Sequence, residues 1–480
     1  MSVPALALAP VLIDTGTRAN ARTLRAELLD RAIRSDYHQW LAGTAAAHGC
    51  TRPVRLHGTI RDLDPATGEV LHTLDTDTLP DRVIYAPCGD RRASVCPACA
   101  ETYRRDTYQL IKAGLTGGKG VPDTVAGHPC VFATFTAPSF GPVHTRHPLL
   151  GGRAARCRPR RKAIVCPHGR RLSCGQRHQD TDPCLGRPLC PDCYDYHGAV
   201  VWNAHAPELW RRTTIAIRRQ LAKLAKAAGA GQVRLSYAKV AEFQARGLVH
   251  FHAIFRLDTT DAMGQLAAPA LTADQLAAAI TAGGSTWFAT VSHPAKPNGW
   301  DIRWGAQLDT RVVHLPTTGS GQAANIAVAS YLAKYATKST EAVGTVACRI
   351  TAANLGYYGN PRSHQGRLIR AAWHLGSHSA PDFCALRRWA HMLGFRGHFS
   401  TKSRRYSTTL KALRNARADY RRRQHPATSR EHHDRAVITI TTLTWAGMGW
   451  RTTGDALLAL SAAARAREHD QAARDEAQAA

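Results

Sequence analysis

The stretch Val233–Asp258 reads VRLSYAKVAEFQARGLVHFHAIFRLD. Its odd positions, Val233, Leu235, Tyr237, Ala241 and Phe243, then Val249, Phe251, Ala253, Phe255 and Leu257, are mostly apolar, the period-two signature of strands half buried on a core. A short loop of Ala245, Arg246 and Gly247 pairs Gln244 with Leu248 and so sets Glu242 opposite His250, with His252 diagonally adjacent. Three candidate metal ligands, Glu242, His250 and His252, then share one face. Such a set suits Mg2+ or Mn2+ for phosphoryl chemistry, Zn2+ for hydrolysis or non-haem Fe(II) for oxygenation, and the hairpin alone does not choose among them. A loop one residue longer or shorter would turn Glu242 to the other face.

The whole chain narrows the choice. Its 480 residues are enough for two or three domains, and 44% hydrophobic content argues against wholesale disorder. Lys and Arg total 63 against 35 acidic residues, a formal charge of +28, which points to a polyanionic partner, above all nucleic acid. No apolar run reaches the roughly 18–20 residues of a membrane span, and PALALAPVL near the start lacks a basic segment before it, so a cytoplasmic protein is expected. The Gly-rich GLTGGKG at 114–120 lacks the G-x-x-x-x-G-K-S/T spacing of a phosphate loop, so no ATPase is expected.

Thirteen cysteines, several as Cys-x-x-Cys in a basic chain, favour metal binding over disulfides. Cys88, Cys96 and Cys99 form one expected zinc site whose fourth ligand is not evident. In the compositionally distinct segment at about 153–200, Cys166, Cys174, Cys190 and Cys193 form two close pairs, with His168, His178, Cys184 and His197 available as substitutes or for a second ion.

Between these features the chain reads as one or two helices over 15–50, short strands and turns over 51–87, a buried strand at Val131–Thr136 and a helix at 207–228 beginning near Pro207. In NIAVASYLAKYATKST, Tyr331 and Tyr335 are four apart, as are Lys334 and Lys338, so a helix places them on neighbouring stripes. The C-terminal run GHFSTKSRRYSTTLKALRNARADYRRR reads as a basic helix, with Tyr406 and Tyr420 among arginines suited to phosphate contacts.

Three separated pieces, the strand FATFTAP, then HFHAIF preceded by Glu242, then YLAKYATK, together resemble the HUH endonucleases that initiate rolling-circle replication. The doubled tyrosine is similar to the two-tyrosine, phage-type initiators. CGDRRASVCPACA, GKGVPDTVAGHPCVFATFTAPSFGPVHTR, PLCPDCYDYHGAVVWNAHAPELWRR and LGFRGHFSTKSRRYSTTLKALR look like the replication initiators of actinomycete plasmids and integrative and conjugative elements. Tyrosines that follow the histidine pair favour an initiator over a relaxase.

The resemblance implies an α+β fold with an HUH endonuclease core, an antiparallel sheet with flanking helices, carrying an inserted zinc module and helical N- and C-terminal regions. Its expected limits are 1–80 for an N-terminal helical and β region, 81–345 for the endonuclease and 346–480 for a basic DNA-binding region. It implies that Glu242, His250 and His252 hold Mg2+ or Mn2+, with structural Zn2+ on the cysteines. Tyr331 is expected to attack first, leaving a 5′-phosphotyrosine and a 3′-hydroxyl primer, and Tyr335 to serve the terminating transfer, aided by Lys334 and Lys338; Gln244 is a candidate outer or substitute ligand. Partners implied are origin DNA, single-stranded at the nick, and a host helicase, polymerase and single-strand-binding protein. The competing readings are a single-strand transposase or mobilisation nuclease and a non-catalytic zinc-containing DNA-binding regulator.

Overall fold

A computed structural model describes residues 21–149, 152–162, 164–261, 264–313, 331, 346, 348–424 and 437–479. The chain divides into two units, one of Met1–Tyr103 with Ala416–Ala480 and one of Arg104–Asn415. It is a mixed α+β protein in which, among the described residues, every paired strand is antiparallel.

In the first unit, helices α1 (Ala21–Ala32) and α2 (Tyr37–Thr44) precede two small sheets. Strand β1 (Val54–His57) lies between β4 (Ile84–Ala86) and Thr444–Met448, and β2 (Thr59–Leu63) lies between β3 (Val70–Asp75) and Ile438–Thr441. Arg31 is buried because two carboxylates neutralise it: Nε donates to Asp455 Oδ1 at 2.7 Å and Nη2 to Asp81 Oδ1 at 3.0 Å. The limits expected from the sequence are 1–80, 81–345 and 346–480. The open edges of β1 and β2 are paired by strands from near the C-terminus, while residues 346–415 belong to the other unit. Pairing at that sequence separation leaves no local signal.

The second unit is built on a sheet of six strands, β5 (Cys130–Phe135), β6 (Arg234–Phe243), β7 (Val249–Thr260), β8 (Leu266–Ala267), β11 (Leu308–Val312) and β12 (Ser400–Lys402). Their order is β11–β5–β7–β6–β12, with β8 pairing the end of β7; β9 (Trp287–Ala289) and β10 (Asp301–Arg303) form a separate hairpin. The loop between β6 and β7 is the short one expected: Gln244 N donates to Leu248 O at 2.8 Å, and Gly247 supplies the left-handed turn at φ +78°.

One face of the sheet, with Phe135, Leu235, Ala241, Phe243, Val249, Phe251, Phe255 and Leu257, forms the main core. Against it pack α4 (Tyr196–Ala227), α5 (Ala273–Gly283) and the helix His364–Leu375. Helix α4 starts eleven residues before the expected Pro207, which lies inside it. Asp195 caps it by accepting from Gly198 N at 2.7 Å, and the unbroken burial of residues 198–206 sustains the helix through the proline.

The other face carries a smaller apolar cluster of Cys130, Ala238, Val240, Ile254 and Tyr406 with Ile111 and Leu115 of helix α3 (Pro97–Thr116). The C-terminal basic run therefore differs from its expected helical form: residues 400–402 pair with β6 as an edge strand, and the helix begins at Leu410. Tyr406 is fully buried, donates to Ile111 O at 3.2 Å and lies 5.4 Å from the Arg256 guanidinium, so it is a core residue rather than a phosphate contact. Among the described residues no helix is long and apolar enough to cross a membrane.

Candidate active site

Period-two alternation puts His250 and His252 on the face opposite the main core, and the hairpin register sets Glu242 directly across from His250. Asn203 of α4 pins the turn from behind: its side-chain amide donates to Gly247 O at 2.8 Å, and its oxygen accepts from Val249 N at 3.1 Å. Glu242 Oε2 lies 3.0 Å from His250 Nε2 and 3.5 Å from His252 Nε2. The three donor atoms all fall within 4.8 Å of one another.

Strand β5 completes the arrangement. Thr134 is opposite His252 in register, and a 3.0 Å hydrogen bond joins Thr134 Oγ1 to His252 Nδ1. That bond fixes the ring so that Nε2 faces Glu242, the role an outer partner plays for a ligating histidine. Phe132 stacks against the His252 ring, and the Tyr331 ring stands edge-on to both, 5.6 Å from His252 and 5.7 Å from Phe132. Tyr331 is 40% exposed, open enough to meet a macromolecular substrate. Tyr335, Lys334 and Lys338 lie outside the described residues. Gln244 is engaged within the turn, where its Oε1 accepts from Arg246 Nε at 2.9 Å.

Electrostatics favour the metal-ready protonation states. Burial pushes the Glu242 carboxyl up, but hydrogen bonds from His250 and His252 outweigh it and hold the group below the usual range, as a carboxylate. Burial also pulls the His252 imidazole down, only partly offset by Glu242, which favours the neutral ring with a lone pair to offer.

Three thiol-rich groups stand apart from this triad. In the first unit, Cys88, Cys96 and Cys99 meet Cys50, with Cys88 Sγ to Cys99 Sγ and Cys96 Sγ to Cys50 Sγ both 3.7 Å. A Zn–S bond of about 2.3 Å implies a tetrahedral edge of about 3.8 Å, which these two pairs match, and all four sulfurs lie within 4.8 Å of one another. The hydrogen bond they share draws the Cys96 thiol down and pushes Cys50 up. Cys50 supplies the fourth thiol of this cluster; in the sequence it lies at the end of a segment read as helix, with no nearby cysteine to mark it.

In the second unit, Cys166, Cys190 and Cys193 come together with His168, whose Nδ1 is 3.2 Å from Cys193 Sγ and 3.8 Å from Cys190 Sγ. Cys174 is not with them. It groups with His144, Cys157 and His178, because antiparallel bonding between Arg158 and Cys174 draws it toward the earlier part of the segment. Cys184 and His197 join no such group among the described residues. The all-cysteine cluster and the two mixed cysteine–histidine clusters suit structural zinc.

A family model described as "Replication initiator protein, pSAM2" matches residues 36–464, a span that contains every group above. A replication initiator protein of Streptomyces ambofaciens is 41% identical over 468 residues, covering 94% of this chain and 95% of that protein. No solved structure matches. The class is thus that of replication initiators. The chain belongs to the pSAM2 family of replication initiator proteins.

Proposed function

We propose that this initiator cuts one strand of its origin DNA with a tyrosine and keeps the cut end covalently. The observation that carries the reading is the convergence of Glu242, His250 and His252 on the open face of the sheet, with the Tyr331 ring 5.6 Å from His252. Two imidazoles and a carboxylate, the carboxylate ionised and His252 favoured neutral, fit a divalent cation such as Mg2+ or Mn2+. When bound, that cation supplies Lewis-acid stabilisation of charge on the scissile phosphate.

The protein's own groups do the rest. Thr134 holds the His252 ring in one orientation, and Asn203 holds the turn that keeps Glu242 and His250 in register. The Tyr331 phenol oxygen attacks phosphorus; the bond to the 3′ oxygen breaks, and that oxygen takes up the proton that the phenol gives up. The products are a 5′-phosphotyrosine and a 3′-hydroxyl that a polymerase can extend. Because the ester exchange conserves the phosphodiester bond energy, a second transfer, assigned to Tyr335, reseals the strand without ATP. Lys334 and Lys338 are assigned to phosphate stabilisation, and the chain's net charge of +28 supports sequence-independent affinity for DNA.

The test is incubation of the protein with supercoiled origin plasmid and Mn2+. Nicked circles carrying covalently bound protein are expected; origin binding with no nick would leave a DNA-binding regulator in place of a nuclease.

A further inference from the structure

Eight of the cysteines and histidines in the segment joining β5 to α4 fall into two clusters, and their order along the chain is not that of two successive zinc knuckles. We infer that the described residues between 143 and 193 form a cross-braced module holding two Zn2+ ions, one on His144, Cys157, Cys174 and His178 and the other on Cys166, His168, Cys190 and Cys193. The donors alternate in pairs. His144 and Cys157 serve the first ion, Cys166 and His168 the second, Cys174 and His178 the first again, and Cys190 and Cys193 the second.

The first site rests on its own geometry. His144 Nδ1 lies 3.2 Å from His178 Nε2, and Cys174 Sγ lies 3.5 Å from the same nitrogen. Bond lengths of about 2.0–2.1 Å for Zn–N and about 2.3 Å for Zn–S imply tetrahedral edges of about 3.4 and 3.6 Å. His178 Nδ1 is taken by Asp182 Oδ2 at 2.6 Å, which leaves Nε2 as the ring atom facing the cluster. An imidazole nitrogen facing a second imidazole nitrogen and a sulfur is a donor set that a cation satisfies, and a carboxylate on the far nitrogen is a common outer partner of a zinc-bound histidine.

The backbone ties the two sites together. His144 N donates to Arg187 O and Gly186 N to His144 O, both at 2.9 Å, which fastens a first-site ligand to the stretch leading into Cys190. Cys157 N donates to Gln176 O and Arg158 N to Cys174 O, both at 2.8 Å. Besides cysteines, Val143, Ala154 and Pro188 are the buried apolar side chains among the described residues of this segment, too few to fold it by hydrophobic burial, so the ions supply its stability.

The module also abuts the catalytic hairpin. Gly186 approaches the turn so closely that an added Cβ would meet the backbone of Ala245 and Arg246 within 2.5 Å. Arg246 in turn donates to Ala137 O and Pro138 O, each at 2.8 Å, just beyond β5. Loading the module thereby steadies the loop that fixes Glu242 opposite His250.

The test is zinc counting on the full chain by native mass spectrometry, a readout independent of nicking. His178→Ala is expected to lose at least one ion relative to wild type, and His178→Cys, which restores a donor, to regain it. The other module ion should then leave at a chelator concentration at least about tenfold lower than in wild type, and amide exchange should quicken at residues 245–248. An unchanged zinc count in His178→Ala overturns the first site. Loss of one ion with undiminished retention of the other overturns the cross-brace.

Discussion

Lys239 gives a prediction whose magnitude follows from its surroundings. It lies on β6, on the face opposite Glu242, with its ammonium 4.1 Å from the centroid of the Phe251 ring and 5.9 Å from that of Trp210, and its polar contact is His398 O at 3.4 Å. Burial pulls its pKa from 10.5 down to about 7. Between those two values the unfolded chain holds a proton that the native protein lacks, so stability rises with pH by about 1.4 kcal/mol per unit, about 5 kcal/mol across the whole interval. Below the lower value both states are protonated and the full cost of burying the charge is present. Lys239→Met removes the titration while keeping an unbranched side chain of similar length. The variant should be more stable than wild type at pH 7, and its advantage should shrink by about 2 kcal/mol at pH 9. Urea unfolding followed by tryptophan fluorescence measures the difference, and contributions from the rest of the chain that the substitution does not touch cancel between the two proteins. An advantage identical at both pH values would mean that the lysine stays charged and solvated, refuting the burial argument.

Other outcomes bear on the site itself. Glu242→Gln should weaken Mn2+ binding at least about tenfold in an electron paramagnetic resonance titration while leaving the zinc count intact; unaltered affinity would remove Glu242 from the ligand set. Thr134→Val, which frees the His252 ring, should slow nicking by about tenfold or more, and Thr134→Ser should restore the rate, whereas a merely structural threonine would tolerate valine. Tyr406→Phe should cost about 1 kcal/mol of stability for the lost bond to Ile111 and leave origin affinity unchanged; a fall in affinity at constant stability would return Tyr406 to the DNA-contacting surface.

The hairpin was legible because alternation and a short turn are local: thirteen consecutive residues from Glu242 to Ile254 contain both the register and the ligands. Thr134 and Phe132 were not, since FATFTAP reads as a buried strand until β5 is known to lie beside β7. Cysteine pairs pointed to clustered metal donors, yet chain proximity grouped Cys174 with Cys166, Cys190 and Cys193, whereas the structure places it with His144, Cys157 and His178, because thiols near one another in sequence fall in different clusters. Cys50 and the C-terminal strands were hidden for the same reason, as their partners lie far along the chain. Tyr406 misled through composition, since a tyrosine among arginines looks exposed until a neighbouring strand is seen to carry it into a core.

Locating the covalent bond is the most direct test of the proposed chemistry. After nicking, nuclease digestion of the attached DNA and peptide mass spectrometry should find a nucleotide phosphate on Tyr331 or Tyr335, with none on the Tyr331→Phe, Tyr335→Phe double variant. An adduct on another residue, or nicking that persists in the double variant, would contradict tyrosine attack at this site.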